Sequence, residues 1–176
     1  MGQSGCHLPG DRCTPSSGLS HRRRNPRIRR IWYSSLKRVP LVIDTSALVA
    51  IALFEPSRPA LLAAIKKAAT RELCSVSLLE AGMVLRARGG AQSVPSLYAL
   101  VEEMDCEIVP FDTVQAKAAI GAFGRFGKGT GHRAQLNFGD CAVYALAALR
   151  GEPVLATGSD FRATDLMIVP LGGAQE

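Results

Sequence analysis

The hydrophobic pattern of the chain changes near residue 40. Residues 1–38 are rich in Gly, Ser, Pro and Arg and show no apolar period. A segment with so little to bury is expected to be disordered. Beyond it, short apolar runs alternate with stretches of helical spacing. Pro40-Leu41-Val42-Ile43 is β-branched and reads as a buried strand that ends at Asp44. The spacing predicts helices over 45–54 and 59–69, a strand over 72–76, and a helix over 77–88 stopped by Gly89-Gly90. Further helices are predicted over 95–104, 112–126 and 137–149, and strands over 106–110, 154–156 and 166–169. Residues 127–135 form a polar, Gly-rich loop. This order predicts an α/β fold, a central parallel β-sheet flanked by helices on both faces. The expected division is a basic N-terminal extension, 1–39, and one domain, 40–172.

Composition supports a sizeable core, with 47% apolar and 20% charged residues in 176. No apolar run is long enough to span a bilayer, and the N-terminal Arg cluster is not followed by a signal-peptide layout. A cytoplasmic protein without a membrane partner is the expectation. Cys6, Cys13, Cys74, Cys106 and Cys141 contain no CxxC pair, which argues against a disulfide framework or a zinc site. Cys74, Cys106 and Cys141 sit in apolar segments and read as small core residues.

The net charge of +6 is unevenly divided. Residues 1–40 carry nine Lys or Arg and one acid, a balance of +8. Residues 41–176 carry twelve Lys or Arg and fourteen acids, a balance of −2. The basic character therefore belongs to the extension, and the domain's bulk charge is no argument for nucleic-acid binding. The Arg-rich stretch over 21–30 reads as a phosphate-binding arm, as a solvated tail, or as sequence upstream of the true translation start.

Three acids stand at the starts of predicted helices. Asp44 follows the first strand directly. Ser77-Leu78-Leu79-Glu80 matches a capping box, which would put Glu80 in a first helical turn. Asn137-Phe138-Gly139-Asp140 has the same layout, with Asn137 as cap. Each acid has an ordinary reading as a helix cap or a dipole partner. Together they suggest more, because all three adjoin core-forming segments where unpaired charge is costly. In open α/β sheets the crevice beyond the carboxyl ends of the strands binds ligands, and these acids can reach it. Clustered carboxylates suit Mg²⁺ or Mn²⁺, and such an ion supports phosphodiester hydrolysis. No Cys or Ser has an evident base beside it. His132 reads as a solvated loop residue, with phosphate contact as the alternative.

Val42-Ile43-Asp44-Thr45-Ser46-Ala47-Leu48, Ser77-Leu78-Leu79-Glu80-Ala81, Leu136-Asn137-Phe138-Gly139-Asp140-Cys141 and Gly158-Ser159-Asp160-Phe161, in that order, resemble the PIN-domain VapC toxins. The similarity covers about residues 41–170 and includes the Phe126-Gly127-Lys128-Gly129 loop. The resemblance implies a Mg²⁺-dependent endoribonuclease (Mn²⁺ as substitute), the toxin half of a type II toxin–antitoxin pair. Asp44, Glu80 and Asp140 match the family's metal-holding acids, and Thr45, Ser46 and Thr157 would support them, Thr45 or Ser46 by a hydroxyl bond to Asp44. It also implies an RNA substrate, a small inhibiting antitoxin and a homodimer. Two departures stand out. The family often has two acids where this chain has Ser159-Asp160, leaving Asp160 as the candidate for the fourth acid, with a cap of the following turn as its ordinary reading. Family members also begin close to the first strand.

Rival readings, a phosphatase or phosphotransferase on a similar scaffold and a non-catalytic module, are weaker. A haloacid-dehalogenase-like phosphatase would use Asp44 as nucleophile and want a second acid at position 46, which is Ser46. A receiver-like domain would want paired acids before Asp44 and a late Lys. A non-catalytic binding module could keep the fold, but would have no reason to keep all three acids.

Overall fold

The computed structural model describes residues 39–171. Expectations for residues 1–38, Cys6 and Cys13 among them, lie outside the described residues. The sheet has four parallel strands in the order β3-β2-β1-β4. They are β1 Leu41–Ile43, β2 Arg71–Cys74, β3 Glu107–Val109 and β4 Val154–Leu155. Helices α1 Thr45–Ala52 and α2 Arg58–Lys67 connect β1 to β2. Helices α3 Ser75–Gly89 and α4 Ser93–Glu103 connect β2 to β3, and α5 Thr113–Phe126 and α6 Phe138–Arg150 connect β3 to β4. A 3₁₀ turn over Asp160–Ala163 follows.

β1 sits between β2 and β4 and is covered on both faces, which is why its sequence is apolar without alternation. Leu41 and Ile43 join a core with Leu48, Ile51, Leu61, Leu85 and Leu97 from α1 to α4. Val42 faces the other way, with Cys74, Val109, Val154, Val143 and Leu146 on the side of α5 and α6. Helix α6 buries eight residues from Gly139 to Ala147, and its small side chains let it lie close to the sheet. It ends at Gly151, whose φ of 71° is the left-handed cap that glycine adopts without strain. No helix among the described residues is long and apolar enough to cross a membrane.

Three expectations need correction. Helix α3 begins at Ser75, with Cys74 at the N-cap position. Ser77 therefore lies inside the helix, fully buried in line with Ala81 and Leu85, and its hydroxyl has no hydrogen-bond partner among the described residues. The expected capping box with Glu80 does not form. The expected strand over 166–169 shrinks to one bridge, Val154 with Ile168, because β4 offers only two residues to pair with. His132 is more than a solvated loop residue. Its ring meets Phe126 edge-on at 4.9 Å, and its Nδ1 accepts the Ala134 N–H at 3.2 Å. Cys74 and Cys141 are buried and Cys106 is half-buried, all as free thiols.

Candidate active site

At the carboxyl end of β1 the chain turns directly into α1, and Asp44 is the hinge. Its backbone is extended, and its Oδ2 accepts the Ser46 N–H at 2.9 Å, so it caps α1 as its position suggests. It is also buried, with 5% of its surface exposed. Burial pushes its carboxyl up to about 6, against hydrogen bonds from the Ser46 side chain and backbone that pull it down. The nearby charges of Asp140 and Glu80 raise it further. The Ser46 hydroxyl in turn accepts the Thr157 N–H at 3.1 Å. Ser46 thus links the loop after β4 to the Asp44 carboxylate.

Glu80 lies in the second turn of α3, one turn later than the sequence pattern indicated. Its Oε2 accepts the Thr45 hydroxyl at 2.7 Å. Thr45 therefore orients Glu80, while Ser46 orients Asp44. Asp140 stands in the first turn of α6, where the expected capping box is complete. Asp140 Oδ2 accepts the Asn137 N–H at 2.7 Å, and Asn137 Oδ1 accepts the Asp140 N–H at 2.9 Å. Burial raises the Asp140 carboxyl, opposed by the Asn137 backbone bond. The charges of Asp160 and Glu80 raise it further and that of Lys128 lowers it. Asp160 is exposed in the first position of the 3₁₀ turn, with Ser159 in the cap position.

These residues line one cleft of about 340 Å³. It gathers Asp44, Glu80, Asp140 and Asp160 with Thr45, Ser46, Asn137 and Thr157. The candidate acids Asp44, Glu80, Asp140 and Asp160 and the supporting Thr45, Ser46 and Thr157 are therefore brought together, while His132 does not line the cleft. The acids share the cleft without closing into a ready-made cage. Among the described residues, no three His, Cys, Asp or Glu side chains are grouped closely enough to hold a metal ion as they stand.

Three further residues escaped the sequence reading. Glu55 and Arg88 line the cleft, although their local sequence shows only helix ends. Gly139 packs against Glu80. A Cβ there would lie 2.4 Å from Glu80 Oε2, so the glycine of Asn137-Phe138-Gly139-Asp140 lets α6 approach Glu80.

A cleft of carboxylates at the strand ends of a parallel α/β sheet suits a metal-assisted phosphodiester-cleaving domain. The PIN-domain family profile matches residues 41–166. A VapC ribonuclease of Mycobacterium bovis is 41% identical over 124 residues, covering 70% of this chain and 93% of that protein. A ribonuclease VapC of Mycolicibacterium smegmatis is 42% identical over 129 residues, covering 73% and 99%. The crystal structure of VapC20 from Mycobacterium tuberculosis, a sarcin–ricin loop cleaving toxin, superposes with a TM-score of 0.63 at 17% identity. It covers 73% of this chain and 98% of that one. VapBC2 of Rickettsia felis, solved on a DNA fragment from its promoter, gives 0.59 at 13% identity, covering 74% and 96%. The two structures speak for the fold alone. The chain belongs to the PIN-domain family, in its branch of VapC ribonucleases. The resemblance drawn from the four ordered motifs is borne out, and divalent-metal dependence is general for nucleases of this family.

Proposed function

We propose that this chain is the toxin of a type II toxin–antitoxin pair, a Mg²⁺-dependent endoribonuclease that uses Asp44, Glu80 and Asp140, with Asp160 as a fourth acid. The observation that carries this reading is the shared cleft itself. Asp44, Glu80, Asp140 and Asp160, from four separate parts of the chain, are among the five carboxylates that line it, and Asp44 is buried. The lining contains neither His nor Cys. An all-oxygen donor set suits a hard cation such as Mg²⁺ or Mn²⁺.

Asp44, Glu80 and Asp140 would hold the ion, and when bound it would activate water and offset charge on the scissile phosphate. The chain's own residues supply orientation. Ser46, tied to Thr157, fixes Asp44; Thr45 fixes Glu80; Asn137 fixes Asp140 through one of its two oxygens. Asp160, exposed and lining the same cleft, would offer a fourth carboxylate.

The partner in this reading is a small antitoxin that places an Arg or Lys among the carboxylates. Arg is favoured because its planar fork can bind two carboxylate oxygens at once. Beside Glu80, α3 exposes Leu79 and Met83, an apolar strip on which such a partner peptide can lie. The active unit is a homodimer, as the family resemblance implies.

The test uses purified chain, single-stranded RNA and Mg²⁺. Cleavage should stop with chelator and return with Mg²⁺ or Mn²⁺, and Asp44→Asn, Glu80→Gln and Asp140→Asn should each abolish it. Mn²⁺ binding, read by its paramagnetic resonance signal, should weaken in the same variants. A parent protein that binds no divalent ion and cleaves no RNA would leave the non-catalytic module as the reading.

A further inference from the structure

The cleft presents a difficulty for its substrate. Five carboxylates line it, those of Asp44, Glu55, Glu80, Asp140 and Asp160, while RNA is a polyanion. One divalent ion offsets only part of that charge. Two cations stand out: Arg88 lines the cleft and Lys128 lies on a loop bonded to the turn that carries Asp140, and neither forms an ion pair among the described residues.

Arg88 is the first. It lies two turns beyond Glu80 on α3, about 12 Å along the helix axis, and lines the cleft. Its place in the last turn of α3 has an ordinary explanation in the helix dipole, but Arg86 satisfies that equally and does not line the cleft.

Lys128 is the second, and the motif Phe126-Gly127-Lys128-Gly129 is built to position it. The Lys128 N–H donates to Leu136 O at 3.0 Å, and the Leu136 N–H donates to Phe126 O at 2.9 Å. The Thr130 hydroxyl closes the turn on Gly127 O at 2.8 Å. Gly127 is required for close packing: a Cβ there would fall 2.5 Å from Phe123 O. Leu136 is fully buried and immediately precedes Asn137, the cap of α6. The loop is thus clasped to the turn that carries Asp140. Lys128 is exposed on that loop, its backbone bonded to the residue that precedes Asn137.

We infer that Lys128 and Arg88 are phosphate-binding residues, holding the RNA backbone beside the Asp140 side and the Glu80 side of the cleft respectively. The inference rests on the ribonuclease reading and names the groups that position its substrate. A clasped loop is the expected support for a lysine that must meet a phosphate at a fixed distance from the acids.

The test measures RNA binding in an Asp44→Asn background, so that the RNA survives, across a series of salt concentrations. Each lost phosphate contact should reduce the slope of log affinity against log salt by about 0.7 for single strands. Lys128→Ala and Arg88→Ala should each show that reduction, Lys128→Arg should restore it, and with Asp44 intact both alanine variants should raise KM far more than they lower kcat. Unchanged slopes, with only a shifted pH–rate profile for Lys128→Ala, would show a lysine that merely balances Asp140 and would overturn the assignment. Unchanged RNA binding with altered self-association or antitoxin binding would overturn it too. If the parent cleaves RNA while the variants keep its slope, only this assignment fails; if the parent neither binds nor cleaves RNA, the ribonuclease reading fails with it.

Discussion

The Thr45 hydroxyl donates to Glu80 Oε2 at 2.7 Å, tying the first residue of α1 to the second turn of α3 across 35 positions. Thr45→Val keeps the shape and removes the donor. RNA cleavage should fall at least about tenfold while stability changes by about 1 kcal/mol, since the bond is partly solvated. Thr45→Ser should retain most of the rate. A Thr45→Val enzyme with unchanged kcat would show that Glu80 needs no orientation.

Asp44 couples the site to stability. Folding raises its carboxyl from 3.8 to about 6, so the folded state favours the protonated form. The resulting penalty on folding is absent below about pH 4, grows between about pH 4 and 6, and is complete above, at about 3 kcal/mol. Asp44→Asn should therefore unfold at higher urea concentration than the parent at about pH 7.5 in chelator, with little difference near pH 4. Parent and variant of equal stability at neutral pH would contradict this account of the burial.

Gly139→Ala should separate activity from folding. Its added carbon would meet the far end of Glu80, a side chain that can swing aside, so the melting temperature should move by only a few degrees. Glu80 would be displaced from the acids, and cleavage should drop at least about tenfold by the loss of one oriented ligand. A fully active Gly139→Ala protein would place Glu80 outside the reaction.

The basic extension should be dispensable for chemistry, because every carboxylate of the cleft lies beyond residue 40. A chain beginning at Pro40 is compared with the full chain on single-stranded RNA at two salt concentrations. Equal rates are expected. A large loss confined to the shorter chain at physiological salt would assign the Arg-rich stretch to substrate binding.

For the antitoxin, replacing each Arg and Lys of a co-purifying partner in turn should identify one whose loss releases cleavage, and added Mg²⁺ should compete with the intact partner. If every variant still inhibits and Mg²⁺ never competes, the partner blocks elsewhere.

Much of this architecture was legible because it is written locally. Asn137-Phe138-Gly139-Asp140 predicts its own capping box, and β1 is apolar throughout because helices cover both its faces. The Ser77-Leu78-Leu79-Glu80 pattern misled for an equally local reason. The backbone turns helical at Ser75, and the buried line through Ala81 and Leu85 draws Ser77 inward. Leu166-Met167-Ile168-Val169 has strand composition, but its two-residue neighbour limits it to a single bridge. The link between Ser46 and Thr157 spans 111 positions and leaves no pattern in either segment. Nor does the sequence near Glu55 or Arg88 announce that both line the cleft.

That long link has a bearing on how the chain is made. Asp44, Thr45, Ser46 and Glu80 leave the ribosome early, but Asp140 and Thr157 are still to be added when they emerge. The Ser46 hydroxyl gains its Thr157 donor only after the segment following β4 has docked. A nascent chain stalled at residue 139 holds only part of the cleft and should cut nothing. A half-made chain should therefore be inert beside the message and the ribosome that are producing it, because Asp140, Thr157 and Asp160 of the cleft are supplied last.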